Sequence, residues 1–328
     1  MTQNPTTMPD FVFMFAGHGS QYYNMGAMLY HSNVFFRNTI LHLDKEVRNH
    51  TGSSVVEYLY GSRYNGDVIF DDIRYTNPAL FMVQYALARL LQEELKVRPD
   101  YVIGSCVGEM VAAAVSGMVS PAEMLTAMID QARIIERLCR KGGMISILAD
   151  PALYEQEPLL YENTTLAAID GKGHFTLSAD DRTLLALRLW LDSHEISYSQ
   201  LPVRYPFHSP LMEPARGPVI RIMQQLRYGA PEATFISGVQ SGPVYQVDAD
   251  YFWDVVRESI AFSAAIERLE NAGPCFYIDC SPSGTCSQLV TKTLSPASSS
   301  VKQVIMSPFG QEIKHLQALL QKRQAYSL

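Results

Sequence analysis

With 328 residues, 47% apolar and 18% charged, the chain has the make-up of a globular protein with room for one large domain carrying an insertion, or for two domains. Its formal net charge of −7 argues against nonspecific binding to nucleic acid or to an anionic membrane surface. No window of about 18 apolar residues occurs, so no membrane span is expected, and the polar start MTQNPTTMPD has neither the basic end nor the apolar block of a secretory signal.

In chain order, residues 11–15 (FVFMF) form a short apolar run that reads as a buried strand, followed by the loop GHGSQ at 17–21. Helical spacing covers 33–49 and 78–96, the second opened by Asn77-Pro78 in cap-and-first-turn order. Residues 101–103 are a strand leading into GSCVGEM at 104–110. Ser120-Pro121 starts a helix that runs to about Cys139, before Gly142-Gly143.

The texture then changes. Residues 144–148, 166–169, 175–177 and 199–203 are strand-like, 181–194 form an amphipathic helix, and 151–160 a weakly capped one. The order β, α, β, β, α, β predicts a small split-βαβ insertion. Helical spacing returns from 210 to about 227 and over 251–271. A strand at 275–278, a Gly/Ser/Pro loop at 281–284, a helix and a last strand at 301–306 complete the larger body.

Five cysteines, an odd number, suit a reducing cytoplasm. Cys275, Cys280 and Cys286 contain no CxxC pair and have no histidine near them, so they read as buried or incidental thiols and no metal is expected. Cys106 is different. Gly104 and Gly108 flank it at i−2 and i+2, the spacing of a nucleophile elbow between strand and helix. A thiol there has its pKa lowered by the helix N-terminus, and the free N–H of Val107 is placed to hold an oxyanion. The alternative is a thiol packed in a strand–helix joint. His208, pinned between Pro206 and Pro210, suits a general base or a structural loop position, and His18 offers its backbone N–H. Asp279, after a strand, suits a triad acid or a turn.

Taken together, the motifs resemble those of the malonyl-CoA:acyl-carrier-protein transacylase family, over roughly 11–310. GHGSQYYNMG at 17–26 resembles its GQGSQ-type loop, GSCVGE at 104–109 its GHSxGE elbow, and RYPFHS at 204–209 the segment ending in its catalytic histidine. TNPAL at 76–80 and DCSPSG at 279–284 match two further landmarks in the right order. The resemblance implies an α/β fold: an α/β-hydrolase-like large subdomain (1–142 and 208–328) with an inserted ferredoxin-like small subdomain (143–207). It implies ping-pong chemistry in which Cys106 takes an acyl group from a CoA or carrier-protein thioester, with His208 as base and then acid. Oxyanion donors carry over to the amides of His18 and Val107, and the carbonyl orienting the histidine maps near Ala261. Asp279 then reverts to a structural residue. Substrate-facing positions are Gln131, Ser105, Asn77 and Phe207. No cofactor is implied beyond the CoA or phosphopantetheine that carries the acyl group, and the partner is an acyl carrier protein.

The departures from the family pattern are informative. Cys106 replaces a serine, Ser105 a histidine, His18 a glutamine and Asn77 a glutamine. Malonyl-type members carry an arginine 25 residues past the nucleophile to fork onto the substrate carboxylate; here Gln131 stands there. Arg133 lies roughly 200° further around the helix and does not substitute. A monocarboxylic acyl chain is therefore expected. Gln131-Ala132 looks most like the freestanding polyketide-cluster subgroup that acts as acyl hydrolases clearing stalled chains from carrier proteins. Because acyl-cysteines react with thiols and amines far faster than with water, transfer is the favoured reading, hydrolysis the alternative, and a non-catalytic carrier-binding protein the third. Arg133, Arg137, Arg140 and Lys141 form a basic face that is either a carrier-protein dock or a solvated helix end.

Overall fold

The computed structural model describes residues 9–61 and 68–326; most of the polar start, residues 1–8, lies outside the described residues. The strands are β1 (Asp10–Phe15), β2 (Tyr101–Gly104), β3 (Gly142–Ile147), β4 (Thr165–Ile169), β5 (Phe175–Asp180), β6 (Tyr198–Gln200), β7 (Thr234–Ile236), β8 (Pro243–Val244), β9 (Cys275–Asp279) and β10 (Val301–Val304). They form two sheets.

The larger sheet has the order β10-β9-β1-β2-β7-β8 and is parallel except for β8, which returns antiparallel to β7. Its central strand explains the unbroken FVFMF run. Phe11, Phe13 and Phe15 pack into the core on one face, while Val12 and Met14 pack with Ile103, Phe262 and Tyr277 on the other. A strand buried on both faces has no polar side to alternate with. Among the described residues no helix is long and apolar enough to cross a membrane.

The smaller sheet has the order β4-β5-β3-β6 with every pairing antiparallel. The helix Asp181–Ser193 covers it by burying Leu184, Leu187 and Leu191. This is the ferredoxin-like insertion, and the whole is a mixed α/β fold. The single helix expected at 151–160 is two short ones, Ala152–Gln156 and Pro158–Asn163, because Pro158 lacks the N–H that would continue the first.

Two other differences shape the site. The helix expected from Pro78 begins earlier, as Ile73–Glu93, capped by Asp72, whose side chain accepts from the Arg74 amide. Asn77 is therefore a buried residue inside the helix and not its cap. The helical run expected over 251–271 is broken into Ala249–Arg257 and Phe262–Ala272. In the gap, the Ile260 amide donates to the Ala167 carbonyl at 2.7 Å, tying the large body to the edge of the small sheet. Strands β7 and β8, three and two residues long, carry too little periodicity for the sequence to reveal.

Candidate active site

At the end of β2 the chain turns through Cys106 into the helix Val107–Val115. Cys106 has φ 54° and ψ −122°, a conformation that L-residues adopt only under constraint. The constraint is close backbone packing. A Cβ on Gly108 would lie 2.1 Å from the Phe15 carbonyl oxygen, and one on Gly17 would lie 2.5 Å from Cys106 Cβ. The glycines let the β1 loop and the elbow touch. As a result the backbone amides of Val107 and His18 lie beside the Cys106 thiol, where they favour its anion. Two converging N–H groups beside a sulfur are the geometry of an oxyanion hole.

The imidazole of His18 lies against the same sulfur, with Nδ1 3.4 Å from Cys106 Sγ. Its other nitrogen, Nε2, donates to Asn77 Oδ1 at 2.6 Å, and Phe207 stacks on the ring at 4.7 Å between centroids. Because an amide oxygen only accepts, Nε2 carries the proton and Nδ1 presents its lone pair to the thiol. His18, Asn77 and Cys106 are three of the four motif departures, and they are in contact.

His208 also has a positive φ, 60°, and is fully buried. Its amide donates to the Val256 carbonyl, and Nδ1 donates to the Glu258 carbonyl at 2.7 Å. This corrects the orienting carbonyl expected at Ala261. The Ala261 oxygen is occupied instead, accepting from the Ala265 amide as the next helix starts. The remaining nitrogen, His208 Nε2, is buried without a hydrogen-bond partner. Its lone pair is free.

Cys106, Ser105, His18 and His208 line one cavity of about 140 Å³. Its far wall comes from the small sheet: Met144, Ser146, Ala168, Asp170, His174 and Thr176. There Ser146 Oγ hydrogen-bonds His174 Nε2, His174 Nδ1 lies 3.3 Å from Asp170 Oδ2, and Asp170 Oδ2 accepts from Thr176 Oγ1. Two wider clefts adjoin: one of about 600 Å³ shares Ala168 and Ile260 with the cavity, the other of about 620 Å³ shares Leu201. Asn77 and Phe207 stand behind His18 and are not among the residues lining the cavity. Gln131 is not among them either; it is buried, with its amide nitrogen unpartnered.

Burial sets the electrostatics. It pushes the Cys106 thiol up to about 11, against the two amides. The lowering expected at the helix N-terminus is represented by the Val107 and His18 amides, and burial opposes it. Burial likewise brings His18 down to about 4, opposed by the Asn77 hydrogen bond. It brings His208 down to about 4, opposed by the Glu258 carbonyl and assisted by repulsion from His18. Near neutral pH the resting site holds a thiol and two neutral imidazoles.

A family model described as acyl transferase domain matches residues 12–327. The chain belongs to the acyl transferase domain family. It is 39% identical over 308 residues to the polyketide biosynthesis acyltransferase homolog BaeD of Bacillus velezensis, covering 94% of this chain and 95% of that one. It is 36% identical to the homolog PksD of Bacillus subtilis, covering 93% and 94% respectively. Among solved structures, the acyltransferase domain from the second module of the salinomycin polyketide synthase superposes with a TM-score of 0.83 at 27% identity, over 97% of this chain and 74% of that one. The loading acyltransferase of the avermectin synthase shares the fold, with a TM-score of 0.84 at 24% identity over 95% and 99%.

Within this acyl transferase fold, other motif residues have structural work. Glu109, fully buried, accepts from Tyr251 Oη at 2.7 Å and from the Val239 amide at 3.0 Å, so it pins the β7–β8 turn to the elbow helix. Asp279 accepts from the amides of Ser281 and Ser287 and holds the loop after β9. All five cysteines are free and buried. Of the basic face, Arg133 pairs with Asp130 and Lys141 donates to Tyr205 Oη, which leaves it a weaker dock. The Ser146–His174–Asp170 cluster went unread in the sequence, because Ser146 stands on β3 and the other two in the β4–β5 connection, with no motif linking them.

Proposed function

We propose that the protein is an acyltransferase of polyketide-type biosynthesis that moves a short monocarboxylic acyl group through a Cys106 acyl-enzyme. The observation that carries this reading is the elbow itself, with Cys106 Sγ beneath the amides of His18 and Val107 and facing the cavity that His208 enters. A thioester carbonyl over the sulfur has its oxygen where those amides point. Attack by Sγ forms the acyl-enzyme and releases CoA or a carrier-protein thiol, and the acceptor reverses the step. His208 Nε2, oriented by Glu258, takes and returns a proton inside the cavity.

The preference for a monocarboxylic chain is supported by the lining. Among the described residues that line the cavity there is no arginine or lysine, and Asp170 contributes a carboxyl group. Burial holds its three histidines below their ordinary range, so they are poor counter-ions at neutral pH. A substrate carboxylate would be buried without a cation, which is costly. A volume of about 140 Å³ is small beside the roughly 300–1,000 Å³ of drug-sized pockets, and supports a short chain. The adjoining clefts give an extended carrier arm an approach. The likeness to polyketide acyltransferase homologs supports an acyl carrier protein as partner.

Incubation with a butyryl-carrier protein and a second, unloaded carrier protein tests the reading. Butyryl on the second carrier, lost in Cys106→Ala, is the expected result. Free butyrate alone would make the protein a hydrolase, and neither product would leave only a binding role. A companion test replaces Gln131 by arginine, which should admit malonyl thioesters; an unchanged preference would remove that residue from the specificity argument.

A further inference from the structure

We infer that Cys106, His18 and Asn77 form a Cys–His–Asn catalytic unit in which the His18 side chain, and not His208, accepts the thiol proton when Cys106 is acylated. The inference rests on the acyl-enzyme reading above and assigns its first proton transfer. Three observations carry it. Nδ1 of His18 lies 3.4 Å from Cys106 Sγ, within hydrogen-bonding reach for sulfur. The 2.6 Å bond from Nε2 to Asn77 Oδ1 fixes the tautomer whose lone pair faces the thiol, the arrangement that a base needs from its orienting partner. Phe207 stacks on the ring and holds its plane. His208 is arranged differently: its free Nε2 makes no hydrogen bond to Cys106 or to any other described group.

Both partners rest neutral, so the proton moves as the sulfur attacks. The Sγ–H bond breaks to His18 Nδ1 while Sγ forms a bond to the thioester carbonyl carbon, and the carbonyl electron pair moves onto oxygen beneath the amides of His18 and Val107. When the carbonyl re-forms, the bond to the pantetheine sulfur breaks. His18 gives its proton to that departing thiolate and returns to its neutral tautomer. In the second half, His208 takes the proton of the incoming acceptor and passes it to Cys106 Sγ as the acyl group leaves. The protein thus has two bases, one for its own thiol and one for the acceptor. His18 is a catalytic residue on this account, since it touches the reacting sulfur. Asn77 is a positioning residue.

Single-turnover acylation by butyryl-N-acetylcysteamine, followed by intact-protein mass, separates the two histidines. His18→Gln keeps the backbone amide but has no basic nitrogen, and should slow acyl-enzyme formation about 100-fold. His208→Ala should still form the acyl-enzyme and accumulate it when an acceptor thiol is added. Acylation at the normal rate in His18→Gln, with none in His208→Ala, would overturn the inference. A second measurement needs no thioester: the pH profile of Cys106 alkylation by iodoacetamide. Asn77→Asp places a carboxylate on His18 Nε2–H, makes the ring a stronger base and should move that profile to lower pH, whereas an unmoved profile would contradict the pairing. If the unaltered protein is never acylated while the Asn77→Asp shift appears, the acyl-transfer reading fails and the pairing stands.

Discussion

The cavity has two walls. On the parallel-sheet side, Cys106 and His18 sit on loops brought together by close backbone packing at Gly17 and Gly108, and the hydrogen-bond partner of His18, Asn77, comes from the large body. On the opposite side, Ser146, Asp170, His174 and Thr176 come from β3, the β4–β5 connection and β5, and their hydrogen bonds stay within the small sheet. On the proposed reading, the first wall supplies the nucleophile and its oxyanion donors, set by close backbone packing at Gly17 and Gly108. The second shapes what lies in front of them. Under the proposed function, chemistry and selectivity fall to separate subdomains, which meet at the Ile260–Ala167 hydrogen bond and the bridge from Ile260 to Ala168. Changes to the first wall should abolish reaction, and changes to the second should redirect it.

The harshest break is Gly108→Ala. Its Cβ would meet the Phe15 oxygen at 2.1 Å, so either β1 or the elbow must shift. We expect acyl-enzyme formation to fall below detection and the fold to lose about 1–3 kcal/mol, read from denaturant unfolding. Next, His208→Ala should lower overall turnover about 100-fold or more in a protein that still unfolds cooperatively. A comparable loss in acylation alone would erase the division of labour between the two histidines.

The second wall should respond more mildly. His174→Leu removes the imidazole that hydrogen-bonds Ser146 and puts an apolar side chain among the polar groups of that wall. Competition between butyryl and 3-hydroxybutyryl thioesters should shift towards butyryl by about 10-fold, because the imidazole that an alkyl chain would strand is gone. Unchanged competition would detach the small sheet from selectivity.

The smallest effect concerns Glu109, whose carboxyl burial pushes up to about 8 from an ordinary 4.5. The folded state holds a proton that the unfolded chain has already lost, so this contribution is present below 4.5 and is lost as pH rises through about 8. His18 and His208 have the opposite sign: held near 4, below 6.5, their contribution grows between those values and is complete above them. Between pH 7 and 9, then, Glu109 dominates among these three. Stability should fall over that range, and Glu109→Gln should flatten the fall. A decline of the same size in the variant would place its cause elsewhere.

Much of this was legible in the sequence, for reasons that differ by residue. The FVFMF run, the GSCVGE elbow and the strand–helix order of the insertion are local patterns, and each fixes a local structure. The His18 side chain was not legible, because Asn77-Pro78 reads as a helix start and hides that Asn77 faces inward from within a helix. The Glu258 carbonyl was hidden for a related reason. Apolar spacing continues through Ile260 and Phe262 with no glycine or proline, so the break that exposes the carbonyl comes from pairing with the small sheet. The sign of the Cys106 shift depends on burial by residues distant in sequence, which a pentapeptide does not contain.

Peptide mapping after incubation with an acyl-carrier protein asks whether Cys106 carries the acyl group. The added acyl mass should lie on the peptide containing Cys106, be removed by neutral hydroxylamine as a thioester is, and be absent in Cys106→Ala. An acyl group on Ser105 or Ser146, stable to that treatment and retained in Cys106→Ala, would contradict it.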